Sequence, residues 1–268
     1  MAGLVTGGFL LGQRFGAATT PPGLAPGGTP GPGAGSPPPS GPVVTLVGAG
    51  DIADCALSDD TSTAALVDAL PGLVFTAGDN AYDVGSAAEF KKCYGPTWGR
   101  FKARTHPAIG NHDVRTANGA PYFAYFGPVA GTPLDGWYSF QAGSWHVVVL
   151  NSNCREGTDC GEGSRQLSWL RADLAAHPTA CTLAIWHHPR FSSGLHGSEP
   201  TVDPFWRALY AAGAELVING HEHDYERFAP QDPDGLADPA KGIREIIVGT
   251  GGAKLRPFKT AAANSEVR

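Results

Sequence analysis

Five short segments of this 268-residue chain carry side chains that could bind cations: GDIAD (50–54), GDNAY (78–82), GNHD (110–113), WHHP (186–189) and GHEHDYER (220–227). Each follows an apolar run, so that Asp51, Asp79, Asn111, His187 and His221 stand where the run ends. These are oxygen and nitrogen donors, the types that suit divalent and trivalent metals. Singly the segments say little. Gly-Asp is an ordinary turn, GNHD could be a polar turn in which Asp113 orients His112, and GHEH could be a surface loop. Five of them in this order make the bland reading improbable.

The elements that must position these residues are legible as short runs closed by turn signals. VVTLVGAG (43–50), LVFTAG (73–78), HPAIG (106–110), SWHVVVL (144–150), CTLAIW (181–186), ELVING (215–220) and REIIVGTGG (244–252) read as buried strands. Between them lie helical patterns. Ser58 is placed to cap a helix through Leu70, with Asp59 and Asp60 in the first turn. Ser86 and Glu89 have capping-box spacing. Ser164 precedes RQLSWLRADLAAH, with Leu167, Leu170 and Leu174 at helical spacing, and Asp203 is placed to cap PFWRALYAAG. Strands alternating with helices predict an α/β domain over 43–268. In such sheets the carboxyl ends of parallel strands share one edge, where ligands bind, which would gather the five donors.

The ordered motifs resemble the calcineurin-like metallophosphoesterase superfamily, and more narrowly its purple acid phosphatase branch, over about residues 43–250. The resemblance implies a β-sandwich flanked by helices, with a dinuclear metal site at the strand C-terminal ends. Carried over residue by residue, it implies a first metal held by Asp51, Asp79, Tyr82 and His223, and a second held by Asp79, Asn111, His187 and His221. Asp79 would bridge them, since one carboxylate can serve two cations roughly 3.5–4 Å apart. Tyr82 is the informative member. A phenolate favours trivalent iron, so the implied pair is Fe(III) at the Tyr82 site and a divalent ion (Fe, Zn or Mn) beside it. The bland alternative is a Tyr82 that merely packs beside the site.

The implied reaction is hydrolysis of phosphate monoesters: a hydroxide held at the metals attacks phosphorus in line, and cations and imidazoles stabilise the phosphoryl oxygens. His112 matches the family's phosphate-contacting histidine, with Asp113 expected at its other ring nitrogen. His196, nine residues beyond His187, falls where the family places a histidine that protonates the leaving group. The first motif has Ala53 where the family usually has Gly, and the fourth has Ala184 where it usually has Val.

The other histidines read as structural. His106 begins a strand, His146 lies inside one, and His177 falls in a last helical turn. His188 adjoins His187 as a supporting residue. Glu222 would alternate away from the ligands, and Tyr225, Glu226 and Arg227 would close the loop by an ion pair.

Composition bounds the partners. With 19 basic and 25 acidic residues the formal charge is −6, which argues against nucleic-acid binding; a small anionic ester can still bind if metals supply positive charge. Residues 1–14 read as a candidate signal or anchor remnant, with a plain tail as the alternative. Their apolar stretch falls short of the about 20 residues a membrane span needs. Phe15 to Pro42 has no charged residue and is dominated by Pro and Gly, so it reads as a disordered linker. Of five cysteines, Cys154 and Cys160 suit a local disulfide, Cys55 and Cys93 could bridge each other, and Cys181 reads as a buried free thiol. That pattern favours a secreted or extracytoplasmic setting, with a membrane tether only through the N-terminus. AKLRPFKTAAANSEVR (253–268) shows no closing element, so a C-terminally truncated catalytic domain is expected.

Two rivals stand beside the phosphatase reading: a phosphodiesterase or nucleotidase using the same metals, and a non-catalytic, metal-stabilised binding module. Tyr122, Phe123, Tyr125, Phe126 and Trp137 could stack a base, although packing is the simpler role.

Overall fold

The computed structural model describes residues 43–133, 135–179 and 181–268. The expected N-terminal remnant and linker lie outside these residues. Two sheets form the centre. The smaller has three parallel strands in the order β1-β3-β5, made by β1 (Leu46–Ala49), β3 (Leu73–Ala77) and β5 (Thr105–Ala108). Two short strands, β2 (Ala53–Asp54) and β4 (Ala81–Tyr82), pair beyond its edge.

The larger sheet has seven strands: β6 (Tyr138–Ala142), β7 (Trp145–Val149), β8 (Cys181–Ile185), β9 (Leu216–Asn219), β10 (Tyr225–Phe228), β11 (Arg244–Val248) and β12 (Ser265–Val267). Their order is β12-β10-β11-β9-β8-β7-β6. The central four, β7, β8, β9 and β11, are parallel, whereas β6, β10 and β12 are antiparallel additions.

The side-chain period of two explains why both sheets are covered on both faces. Phe75, Ala77, Val147, Val149, Leu183, Ile185 and Ile218 point into one core shared by the two sheets. Their neighbours Val148, Ala184, Trp186 and Val217 point the other way, onto α4 (Arg165–Ala176) and α5 (Asp203–Ala212). Val74 faces a third core, built with α1 (Asp59–Asp68), the turn after α2 (Ala87–Glu89), and α3 (Ala120–Phe126). This is the expected α/β sandwich flanked by helices.

The helix starts divide the expectations. Ser164 Oγ accepts from Leu167 N, and Ser86 with Glu89 forms a complete capping box. Ser58 precedes α1 but makes no side-chain cap. Asp203 is the first residue of α5 rather than its cap, because its carboxylate is taken by Arg190 at 3.0 Å and Arg207 at 2.6 Å. Tyr225–Phe228 is strand β10 rather than a loop closed by its own ion pair. Glu226 points inward and accepts from Ser193 and Ser265, and Arg227 pairs with Glu266 of β12. The C-terminal segment, where the sequence suggested no element, contains β12, which pairs with β10.

Cys55–Cys93 and Cys154–Cys160 are both bridged, and Cys181 is free but only half-buried. Tyr122, Phe123 and Phe126 are buried in the α3 core, which favours packing over base stacking. Among the described residues no helix is long and apolar enough to cross a membrane.

Candidate metal centre

The carboxyl ends of β1, β3, β5, β8 and β9 reach one edge of the sandwich. Backbone bonds join these ends across the sheets: Gly50 N donates to Val248 O at 3.0 Å, Asp51 N to Gly78 O at 3.0 Å, and Gly220 N to His187 O at 3.0 Å. Asp51, Asp79, His221 and His223 all have positive φ, at 59°, 50°, 75° and 42°. That region costs a residue with a Cβ about 1–3 kcal/mol, so the surrounding bonds hold these side chains at a bend the chain would otherwise avoid. Glycine is required where loops press together. A Cβ on Gly110 would collide with the backbone nitrogen and carboxylate of Asp79, and one on Gly78 (φ +87°) would lie 2.5 Å from the His187 ring.

All seven predicted ligand residues converge. The Tyr82 hydroxyl lies 2.8 Å from Asp51 Oδ1, 3.0 Å from Asp79 Oδ2 and 3.1 Å from His223 Nε2. Asn111 Oδ1 lies 3.1 Å from both His187 Nε2 and His221 Nδ1. His187 Nε2 is 3.2 Å from His221 Nδ1 and 3.2 Å from Asp79 Oδ2. Asp79 Oδ2 therefore belongs to both groups. The Tyr82 hydroxyl lies within one of them, in reach of Asp51, Asp79 and His223.

Supporting bonds aim the donors. His187 Nδ1 meets Ala77 O at 2.9 Å and His223 Nδ1 meets Lys254 O at 2.9 Å, which leaves Nε2 of each ring facing the cluster. Asp51 Oδ2 accepts from His221 N at 2.7 Å, and Asp79 Oδ1 from His112 N at 2.8 Å.

The electrostatics of these side chains are unbalanced. Asp51 and Asp79 are both buried, and among the described residues neither is paired with Lys or Arg. Burial raises Asp51 above the usual carboxylate range, against the pull of His187 and His223. Burial acts the same way on Asp79, but His187 and His112 outweigh it and hold its carboxyl well below that range. Burial tends to lower His187, but Asp79 and Asp51 bring it up to about 9. The Tyr82 phenol is driven far above its ordinary value by burial and by both carboxylates. Cations among these donors would reverse that penalty. The donor set thus fits a pair of metal ions: hard oxygens around Tyr82, imidazole and carboxamide around His187, and a carboxylate between.

The remaining predicted residues divide. His112 lines a 310 Å³ pocket over the cluster together with Asn111, His196, His221 and Arg256. Asp113 does not hold the His112 ring. It is buried and turned inward, accepting from Asn80 N at 3.0 Å and Gly110 N at 2.9 Å, while His112 Nδ1 meets Asp83 O at 2.6 Å and Asp83 Oδ1 at 3.1 Å. Burial, the Asp79 charge adding to it, brings Asp113 up to about 7. It holds the second and third loops together. His196 reaches the pocket, its ring 4.4 Å from His221. His188 supports from behind: Ser152 Oγ is 2.9 Å from its Nδ1, and burial with the His187 charge pushes it down to about 3. Glu222, expected to point away, accepts from His196 N and Gly197 N and so fixes the loop that carries His196.

His106 stacks on Phe140, and His146 binds Asp173 at 2.7 Å, both as structural residues. A larger groove of 700 Å³, bordered by Trp137, Tyr138 and Trp169, contains none of the cluster residues. Sequence reasoning missed Arg256, which no local motif marks.

The family described as calcineurin-like phosphoesterase matches residues 37–225. Purple acid phosphatase 18 of Arabidopsis thaliana is 33% identical over 122 residues, covering 43% of this chain and 26% of that protein. Purple acid phosphatase 15 of the same plant is 30% identical over 174 residues, covering 58% and 32%. The chain thus spans about a quarter to a third of the length of these relatives. Among solved structures, the purple acid phosphatase PPD1 from yellow lupin (Lupinus luteus) seeds superposes with a TM-score of 0.64 at 20% identity, covering 82% of this chain and 46% of that one. GAP50, the anchor in the inner membrane complex of Plasmodium, superposes at 0.62 with 14% identity, covering 82% and 76%; these two structures bear on the fold alone. With its family matched across most of its length and its five motifs meeting at one sheet edge, this chain belongs to the calcineurin-like phosphoesterases.

Proposed function

We propose that the chain hydrolyses phosphate monoesters at a dinuclear metal centre. Asp51, Asp79, Tyr82 and His223 hold Fe(III), and Asp79, Asn111, His187 and His221 hold a divalent ion (Fe, Zn or Mn). The observation that carries this reading is the position of Asp79 Oδ2, 3.0 Å from the Tyr82 hydroxyl and 3.2 Å from His187 Nε2, where two four-residue donor sets meet. Bound there, the metals supply positive charge to the phosphoryl oxygens and make water a nucleophile near neutral pH.

The chain's own groups do the rest. The pocket wall of Asn111, His112 and His221 sets the substrate over the cluster. His112, held by Asp83, donates to a phosphoryl oxygen, and His196 delivers a proton to the departing oxygen. Asp113 positions the Asn111 loop. The two disulfides support an extracytoplasmic setting.

The test is metal analysis with a visible spectrum, followed by turnover of an aryl monoester and an aryl diester. Two metals per chain, an iron–phenolate band and faster monoester turnover are expected. Faster diester turnover would favour the phosphodiesterase alternative. Two bound metals with no hydrolysis of any ester would reject the enzyme and revive the binding module.

A further inference from the structure

A strap of chain leaves β11 and crosses the mouth of the site. Its backbone is pinned at successive points: Gly251 N donates to Gly50 O at 2.9 Å, Ala253 N to Asp51 O at 2.9 Å, Arg256 N to His223 O at 3.1 Å, and Lys259 N to Ser193 O at 2.9 Å. Arg256 is thus fixed between a candidate metal ligand and the loop that bears His196. Its guanidinium borders the pocket over the cluster, with Nη1 3.0 Å from His196 Nε2.

Among the described residues, no carboxylate stands within ion-pair distance of Arg256, whereas the other arginine of the pocket, Arg115, is taken by Asp83 at 3.1 Å. Arg256 also borders a second cavity of 440 Å³, which shares Asp83, His112 and His223 with the first and is lined further by Tyr82, Lys254 and Pro257. Lys254 and Arg256 of the strap therefore border the space just outside the cluster, together with Asp54 and with Asp83, whose carboxylate is taken by Arg115. A planar guanidinium with a fixed backbone and no internal acid is suited to bidentate binding of a phosphate.

We infer that Arg256 is a specificity residue for substrates carrying a second phosphoryl group joined to the scissile one, as in pyrophosphate or a nucleoside diphosphate. This rests on the phosphoester hydrolase reading above. The scissile phosphate lies over the cluster, and the second lies under Arg256 with Lys254 beyond it. Hydrolysis forms a bond from the water oxygen to the scissile phosphorus and breaks the bridging P–O bond. The electron pair of that bond stays on the second phosphate, whose departing oxygen takes a proton from His196, while the attacking water gives up its own proton to solvent. Arg256 meets the negative charge that builds on that departing phosphate. A monoester of an uncharged alcohol makes no such contact.

The substitution Arg256→Ala removes the guanidinium and keeps the backbone bond to His223. Wild type, Arg256→Ala and Arg256→Lys, each loaded with metals, are compared for kcat/KM on pyrophosphate and 4-nitrophenyl phosphate. Calorimetric binding of methylenebisphosphonate and methylphosphonate, which are not hydrolysed, gives a second readout. The expected result is a loss at least tenfold larger for pyrophosphate and methylenebisphosphonate than for their single-phosphoryl counterparts, with partial recovery in Arg256→Lys. Equal losses, or no loss, on both members of each pair overturn the role of Arg256 and leave the hydrolase reading intact. Wild-type protein that holds metals but neither cleaves the esters nor binds either phosphonate overturns both.

Discussion

The Tyr82 hydroxyl and the Asp79 carboxylate, three positions apart on one loop, share a contact of 3.0 Å. The loop folds back because Asp79 adopts a positive φ and Gly110 lies against its backbone. Tyr82 thereby enters the same cluster as Asp51 and His223.

If Tyr82 and Asp79 are ligands, their removal has different consequences. Asp79→Ala should lose both metals and all activity while the far-UV dichroism stays native. Tyr82→Phe keeps three donors of its set, so it should retain the divalent ion and lose the visible charge-transfer band. Elemental analysis beside the spectrum separates the two. A Tyr82→Phe protein with unchanged colour would remove the phenolate from the iron site.

How far these residues could be found in advance depended on whether geometry followed from topology. Asp51, Asp79, Asn111, His187 and His221 were legible because parallel strands must end at one edge. Asp113 was not. Its adjacency to His112 suggests a pair, but the turn after Asn111 sends the carboxylate inward to the N–H groups of Asn80 and Gly110. Strand β10 was hidden because its inward residue is a glutamate, Glu226, whose burial is matched by serines 33 and 39 positions away. Arg256 was hidden for a similar reason: its place is set by strap bonds to Asp51 and His223, which no spacing rule anticipates.

The two disulfides should differ in worth. Cys55–Cys93 closes a separation of 38 residues and Cys154–Cys160 one of 6. Loop-closure entropy alone gives about 4 kcal/mol for the first and about 2 kcal/mol for the second. The double variants Cys55→Ser/Cys93→Ser and Cys154→Ser/Cys160→Ser, compared by urea unfolding, should show the first as the less stable. The reverse order would mean that chain entropy in the unfolded state does not govern either bridge.

Glu245 predicts a pH dependence of stability. It is fully buried in β11 and accepts from Arg190 N at 2.8 Å and Phe191 N at 3.0 Å. Burial brings its carboxyl from 4.5 up to about 8, with the two N–H groups and Arg190 opposing only in part. The folded chain then binds this proton more tightly than the unfolded chain. Its contribution to stability is therefore fully present below pH 4.5 and declines as pH rises to about 8. Glu245→Gln has no proton to lose, so relative to wild type it should gain up to about 5 kcal/mol across that interval. Urea midpoints at pH 5 and 8.5 measure the gap; a gap independent of pH would place the ordinary carboxyl value in the fold.

His196 is held by Glu222, which accepts from His196 N at 3.0 Å and Gly197 N at 2.7 Å, and its ring stands 4.4 Å from His221. It is outside both donor sets, so His196→Ala should keep two metals. A proton donor matters most when the departing oxygen is strongly basic. Loss of the imidazole should therefore lower kcat for alkyl phosphates by about 10²–10⁴-fold, and much less for 4-nitrophenyl phosphate, whose phenolate leaves unaided. A Glu222→Gln protein keeps the imidazole but weakens the clamp on its loop, so it should lie between wild type and His196→Ala on the alkyl ester. Equal loss on the two esters in His196→Ala would assign the ring to binding instead of proton transfer, and wild-type rates on both would remove it from the reaction.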